Sequence, residues 1–161
     1  MFNGLKYIVA SAGLLCAQTV NATTYAPAGT YVFSGQVIYQ KDMSAFGCTM
    51  ELTIDATSSA ATATARIYDK PGCASFIDGN GTVSFDGTHL TVNGWTMQFV
   101  LSTGYCTGPV KMQWGGNGTA PRTIGLSSPM SDSTATAGAP CKFMGTLTQT
   151  SGPGALTITN P

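Results

Sequence analysis

Charge is what this sequence has least of. Only 9% of its 161 residues are Asp, Glu, Lys or Arg, against roughly a quarter in ordinary soluble domains. Seven basic and seven acidic residues balance to zero, and the basic ones stand singly along the chain. Nucleic acid and anionic membrane surfaces are both bound through clustered Lys and Arg, so neither is expected as a partner. Histidine is almost missing too. His89 stands alone and would have to serve any Ser-His or Cys-His mechanism by itself. It falls one residue from a turn dipeptide, on the polar side of a strand pattern, and no GxSxG elbow accompanies it. Closely spaced CxxC pairs, which would mark a thiolate metal site, are absent. The Gly115-Gly116-Asn117-Gly118 run lacks the Lys and Ser or Thr of a phosphate loop and reads as a flexible turn. No segment shows a helical period, and no repeat or composition shift divides the chain.

A short positive stretch ending at Lys6, an apolar run from Tyr7 to Leu15, and Val20 and Ala22 before a cut after Ala22 have the form of a secretory signal. Ser11, Gln18, Thr19 and Asn21 interrupt the run before the roughly 20 apolar residues that a transmembrane anchor needs. Cys16 follows Leu15 rather than a small residue, so a lipid anchor is not expected and Cys16 leaves with the signal. Residues 1–22 are thus assigned to a cleaved signal and 23–161 to one secreted domain, long enough to bury roughly two-thirds of its unfolded surface. Four cysteines remain, Cys48, Cys73, Cys106 and Cys141. In an exported domain they read as two disulfides. Of three connectivities, Cys48 with Cys73 and Cys106 with Cys141 is preferred, because both close local loops between neighbouring strands.

Periodicity points to strands. From Cys48 to Asp55 the chain alternates, with Cys48, Met50, Leu52 and Ile54 on one side and Thr49, Glu51, Thr53 and Asp55 on the other. Asp86-Gly87 and Asn93-Gly94 each suit a two-residue hairpin turn. Together they predict a three-strand meander in which Phe85 faces Thr88, Val83 faces Leu90, Val92 faces Trp95 and Leu90 faces Met97. Val83, Phe85, Leu90, Val92, Trp95, Met97, Phe99 and Leu101 then share one apolar face. Further strands are expected over 31–40, 63–68, 110–114, 142–148 and 156–159. The runs 56–62 and 127–140 read as loops. About eight short strands in one domain argue for an all-β fold, an antiparallel β-sandwich or jelly-roll.

Candidates for chemistry are few. Glu51, Asp78 and Asp86 carry carboxylates that a glycosidase would pair, yet nothing along the chain brings them together. Asp78, Asn80 and Thr82 begin like a calcium loop, but its twelfth position is His89 rather than a bidentate Glu. No catalytic residue, metal ligand or cofactor is therefore expected. Trp95, Trp114 and Tyr105 are the aromatic candidates for sugar stacking; Trp95 has a place on the expected core face, so Trp114, beside glycines at a strand end, is the better placed of the two tryptophans.

The segments AGTYVFSGQV, CTMELTI, PGCASF, LTVNGW, YCTGPVKMQW, PCKFMGTL and ALTIT follow one another in an order that resembles the secreted bacterial protein activators of alkane oxidation, over nearly the whole mature chain. That resemblance implies an extracellular, non-enzymatic accessory protein that promotes growth on hydrocarbons and acts at cell surfaces or in the biofilm matrix. An apolar interface or hydrocarbon is then the expected partner, with self-association or a matrix role beside it. Two other readings stand next to it: a pilin-like or fibre-forming adhesin subunit donating the segment from Thr23 to Gln40, and a carbohydrate-binding module.

Overall fold

The computed structural model describes residues 22–41, 44–68, 73, 75–98, 105–127 and 141–160. The signal segment with Cys16, and the positions Phe99, Leu101 and 128–140 of the expected face and loop, lie outside the described residues.

Strands form where alternation is cleanest. The longest ladder is β2 (Gly29–Lys41) against β3 (Ser44–Ala56), paired without a break from Gly29 opposite Ala56 to Lys41 opposite Ser44. The chain continues through β4 (Ala61–Tyr68), β6 (Asn80–Phe85), β7 (His89–Asn93), β10 (Val110–Trp114), β11 (Thr123–Leu126) and β12 (Lys142–Ser151). Each of these pairs antiparallel with the next, and β12 closes back on β2. The result is a closed eight-strand barrel in up-and-down order. The sandwich or jelly-roll expected from the sequence is corrected here, while its all-β, antiparallel, two-disulfide character stands.

The reason lies at two seams. A Cβ on Gly35 of β2 would collide with the carbonyl oxygen of Thr146 in β12, and one on Gly81 of β6 would collide with that of Asn93 in β7. Missing side chains let the neighbouring backbone approach closely at these points, as tight bends of a closing sheet require. The two seams have four strands on either side in the ring. Alternation alone cannot reveal this, because a sandwich and a barrel bury the same face of each strand.

Inside, the barrel is filled. Tyr31, Phe33, Val37 and Tyr39 of β2 meet Met50, Leu52 and Ile54 of β3, Leu90 and Val92 of β7, Met112 of β10, Ile124 of β11 and Phe143 and Leu147 of β12, all buried. Ala61, Ala63 and Ala65 give β4 a thin inner face. Phe33 packs edge-on to Trp114, and Tyr39 edge-on to Phe143.

Two small sheets cover the ends. At one end β1 (Thr24–Ala26) pairs with β13 (Thr157–Thr159). At the other, β5 (Ser75–Asp78), β8 (Thr96–Gln98) and β9 (Tyr105–Thr107) form a three-stranded sheet. This arrangement corrects the expected meander. The β6–β7 hairpin keeps its apolar face, but Phe85 opposes Leu90 and Val83 opposes Val92. The Asp86 N–H donates to the His89 carbonyl at 3.1 Å, so Gly87 and Thr88 form the loop. After Asn93-Gly94 the chain leaves the barrel; Trp95 and Met97 are buried, with β8 in the cap sheet, and β7 takes β10 as its partner. The 56–62 run is also more ordered than a loop: Ala56 and Ala61 are paired strand residues, and Thr57 and Ala60 close the turn between them.

Candidate functional site

The two barrel ends and the outer wall are built by different chemistry. At the end covered by β5–β8–β9, Cys48 of β3 is bonded to Cys73, and Cys106 of β9 to Cys141 immediately before β12, with Cα separations of 6.0 and 6.2 Å. Each bridge joins a barrel strand to the cap sheet or its flank. This is the local connectivity favoured by loop position in the sequence.

At the opposite end, polar side chains do the fastening. Asn117, in the glycine-rich turn after β10, donates from Nδ2 to the Ile158 carbonyl at 2.7 Å. Its Oδ1 accepts the Ile158 N–H at 3.1 Å and the Trp114 Nε1–H at 3.2 Å. Gln149 accepts the Leu156 N–H at 3.1 Å and donates to the Gly154 carbonyl at 2.6 Å. The buried guanidinium of Arg122 donates from Nε to the Leu156 carbonyl at 2.9 Å and from Nη1 to the Thr119 carbonyl at 2.6 Å. These contacts seat Leu156 and Ile158 over the barrel mouth, where both are buried together with Tyr25 of β1.

His89 opens β7 beside the same end. Its backbone N–H donates to Asp86 Oδ1 at 2.7 Å, and that of Thr88 does so at 3.0 Å. Lys111 Nζ lies 3.0 Å from Asp86 Oδ2, and His89 Nδ1 lies 3.5 Å from Oδ1. The His89 N–H, then Lys111, then the Thr88 N–H hold the Asp86 carboxyl well below the usual carboxylate range. What converges on Asp86 is turn backbone, one lysine and the His89 ring, the arrangement of a hairpin held shut. Glu51 faces outward from the middle of β3, opposite Ser34 and Arg66, remote in the barrel from the Asp86 turn. Asp78 belongs to β5 of the cap sheet, on a different element and at the opposite end of the barrel from the Asp86 turn. The run Asp78, Asn80, Thr82 is divided between β5 and β6 rather than looped, and Asn80 Oδ1 accepts a bond from the Thr64 hydroxyl at 2.8 Å. Among the described residues no group of three His, Cys, Asp or Glu is placed to hold a metal ion.

The two tryptophan candidates are corrected as well, while the Tyr105 side chain lies outside the described residues. Trp114 points into the barrel against Phe33 and bonds Asn117, and Trp95 is buried beneath the cap. Neither presents a face for sugar stacking. The apolar face of the short β10 pattern, Val110, Met112 and Trp114, simply continues into the core.

On the outer wall the alternation exposes Thr, Ser, Gln and Asn. A broad depression of about 570 Å³ there is lined by Thr62, Asn80, Gly81, Thr82, Asn93 and Gly94. Such an open surface differs from the enclosed, largely apolar cavities that hold small molecules. With an apolar inside and a polar outside, the described wall has the reverse polarity of a strand barrel facing lipid. Among the described residues no helix is long and apolar enough to cross a membrane.

One part of the wall departs from this polarity. Ile38, Met144 and Tyr68 are exposed by 47%, 40% and 42%. Ile38 stands directly opposite Met144 across β2–β12 and opposite Gly47 across β2–β3. Gly47 presents no side chain, and a Cβ there would meet nothing within 4 Å, so the surface beside Ile38 is flat and open. Tyr68 ends β4 opposite Thr49. The sequence signal for this patch is a fault in alternation: Val37-Ile38-Tyr39 and Phe143-Met144 each place an apolar residue where the pattern calls for a polar one.

Comparison with known proteins finds no protein-family model, no curated protein and no solved structure that matches this chain.

Proposed function

We propose that this chain is an exported, non-enzymatic accessory protein that adsorbs at an apolar interface, at the cell surface, in the biofilm matrix or at a hydrocarbon boundary. The supporting observation is the exposed pair Ile38 and Met144 beside Gly47, with exposed Tyr68 two strands away, on a wall that is otherwise polar. Exposed apolar surface rimmed by polar residues favours contact with another apolar phase, at roughly 25 cal/mol for each Å² withdrawn from water. A zero net charge leaves little repulsion between adsorbed molecules. Two disulfides suit an oxidising compartment, and the order of segments that resembles the activators of alkane oxidation supports the same reading.

The test is adsorption to alkane droplets, followed by interfacial tension. Ile38→Ser with Met144→Ser should leave stability within about 0.5 kcal/mol, as for exposed positions generally. It should raise the protein concentration needed to lower the tension by several fold. An unchanged tension curve in the folded double variant would remove this reading.

A further inference from the structure

The β1–β13 cover is made of two short strands that are far apart in the chain and fastened at the same end of the barrel. The bonds that hold β1 run to partners a second copy could equally supply. Thr24, Tyr25 and Ala26 pair with Thr159, Ile158 and Thr157. The Thr24 and Thr159 hydroxyls bond each other, and Thr23 donates to Asn160 at 3.1 Å. The Tyr25 N–H donates to the Ser58 carbonyl at 3.2 Å, and its ring is buried in the barrel mouth with the phenol 3.5 Å from the Val83 carbonyl. Only residues 27 and 28, one of them proline, separate β1 from β2. With residues 1–22 removed as the expected signal, β1 stands near the chain start, and a short, stiff connection of this kind is a hinge suited to exchange of such an element between identical chains.

We infer that two copies of this chain associate end to end by exchanging β1, each Tyr25 filling the partner's barrel mouth and each β1 pairing with the partner's β13. Donor and acceptor lie at one end of the same barrel, so reciprocal exchange uses both at once and the assembly closes as a two-fold dimer. It does not propagate as a fibre, because neither end strand is left to accept a third copy. The opposite end takes no part, since its cap sheet is tied to the barrel by two disulfides. The near absence of charge removes the repulsion that would otherwise hold two mouths apart. This inference is independent of the outer-wall patch, and either can fail without the other.

Two single-cysteine variants test it, Thr24→Cys and Thr159→Cys, both at exposed positions whose side chains meet across β1–β13. The exported variants carry tags of different size, are mixed at high concentration, incubated and oxidised gently. Exchange yields a covalent heterodimer, at twice the mass of one chain, in the mixture and in neither variant alone. The double variant Thr24→Cys/Thr159→Cys serves as the control for reactivity, because without exchange it closes the bond within one chain. A mixture that stays monomeric under conditions where the double variant crosslinks internally would overturn the inference.

Discussion

The two ends of the barrel solve one problem by opposite means. A closed ring of strands leaves an apolar mouth at each end, and both must be covered. Where β2 ends and β3 begins, the cover is a three-stranded sheet joined to the barrel by Cys48–Cys73 and Cys106–Cys141. Where β2 begins, it is the β1–β13 ribbon, held by Asn117, Gln149 and Arg122. A covalent cover can be lost only with its crosslink, whereas a hydrogen-bonded one opens and recloses. Low-energy opening of that kind is what exchange between copies requires. The difference places permanence at one end of the molecule and adaptability at the other.

The largest effect should come from the covalent end. Replacing Cys106 and Cys141 together by alanine releases a sequence separation of 35 residues. It should lower the free energy of unfolding by about 3 to 4 kcal/mol, measured by denaturant titration. A smaller loss is expected at the hydrogen-bonded end. Asn117→Ala removes bonds to Trp114 and to both main-chain groups of Ile158, and should cost about 2 to 3 kcal/mol. Hydrogen exchange should then show faster opening at Ile158 with no change across β8–β9. Equal acceleration at both ends would mean that the two covers open as one unit.

The smallest effect concerns the turn beside the same mouth, at Asp86. Its carboxyl is held below the ordinary range in the folded chain, so its contribution is fully present above the unfolded value of about 3.9 and is lost as pH falls below it. Asp86→Asn should therefore be less stable than the parent at pH 7, and the gap between their melting temperatures should narrow as pH drops below about 4. A gap constant across that range would show that the charge of Asp86 is not what separates the two proteins, since asparagine retains the backbone cap.

Much of this could be read from the residues. The run from Cys48 to Asp55 is a strand with the inward side expected of it, and Val83, Phe85, Leu90 and Val92 keep one face although their register differs from the expected one. The face survives because the shift is even, and strand side chains repeat every two residues. The turn itself departs from the expected Asp86-Gly87 loop for a physical reason. Asp86 spends its carboxylate on the Thr88 and His89 amides, which draws it into the closing pair of the hairpin instead of its loop. Asn117 looked like part of a flexible glycine run, since nothing nearby in the chain reveals that its amide meets a strand 41 residues further on.

Local chemistry was enough to determine that this protein is made of strands, to favour cysteine pairing over short spans without separating the three connectivities, and to show that the chain is short of charge. Each of these depends on residues near one another in the chain: a period of two, a loop short enough to close, a count of side chains. Whether those strands would form two stacked sheets or one ring was decided only when β12 met β2, where Gly35 lies beneath the carbonyl of Thr146. So too was the exposure of Ile38 beside Met144, because both facts concern the meeting of segments about a hundred residues apart, which no local pattern encodes.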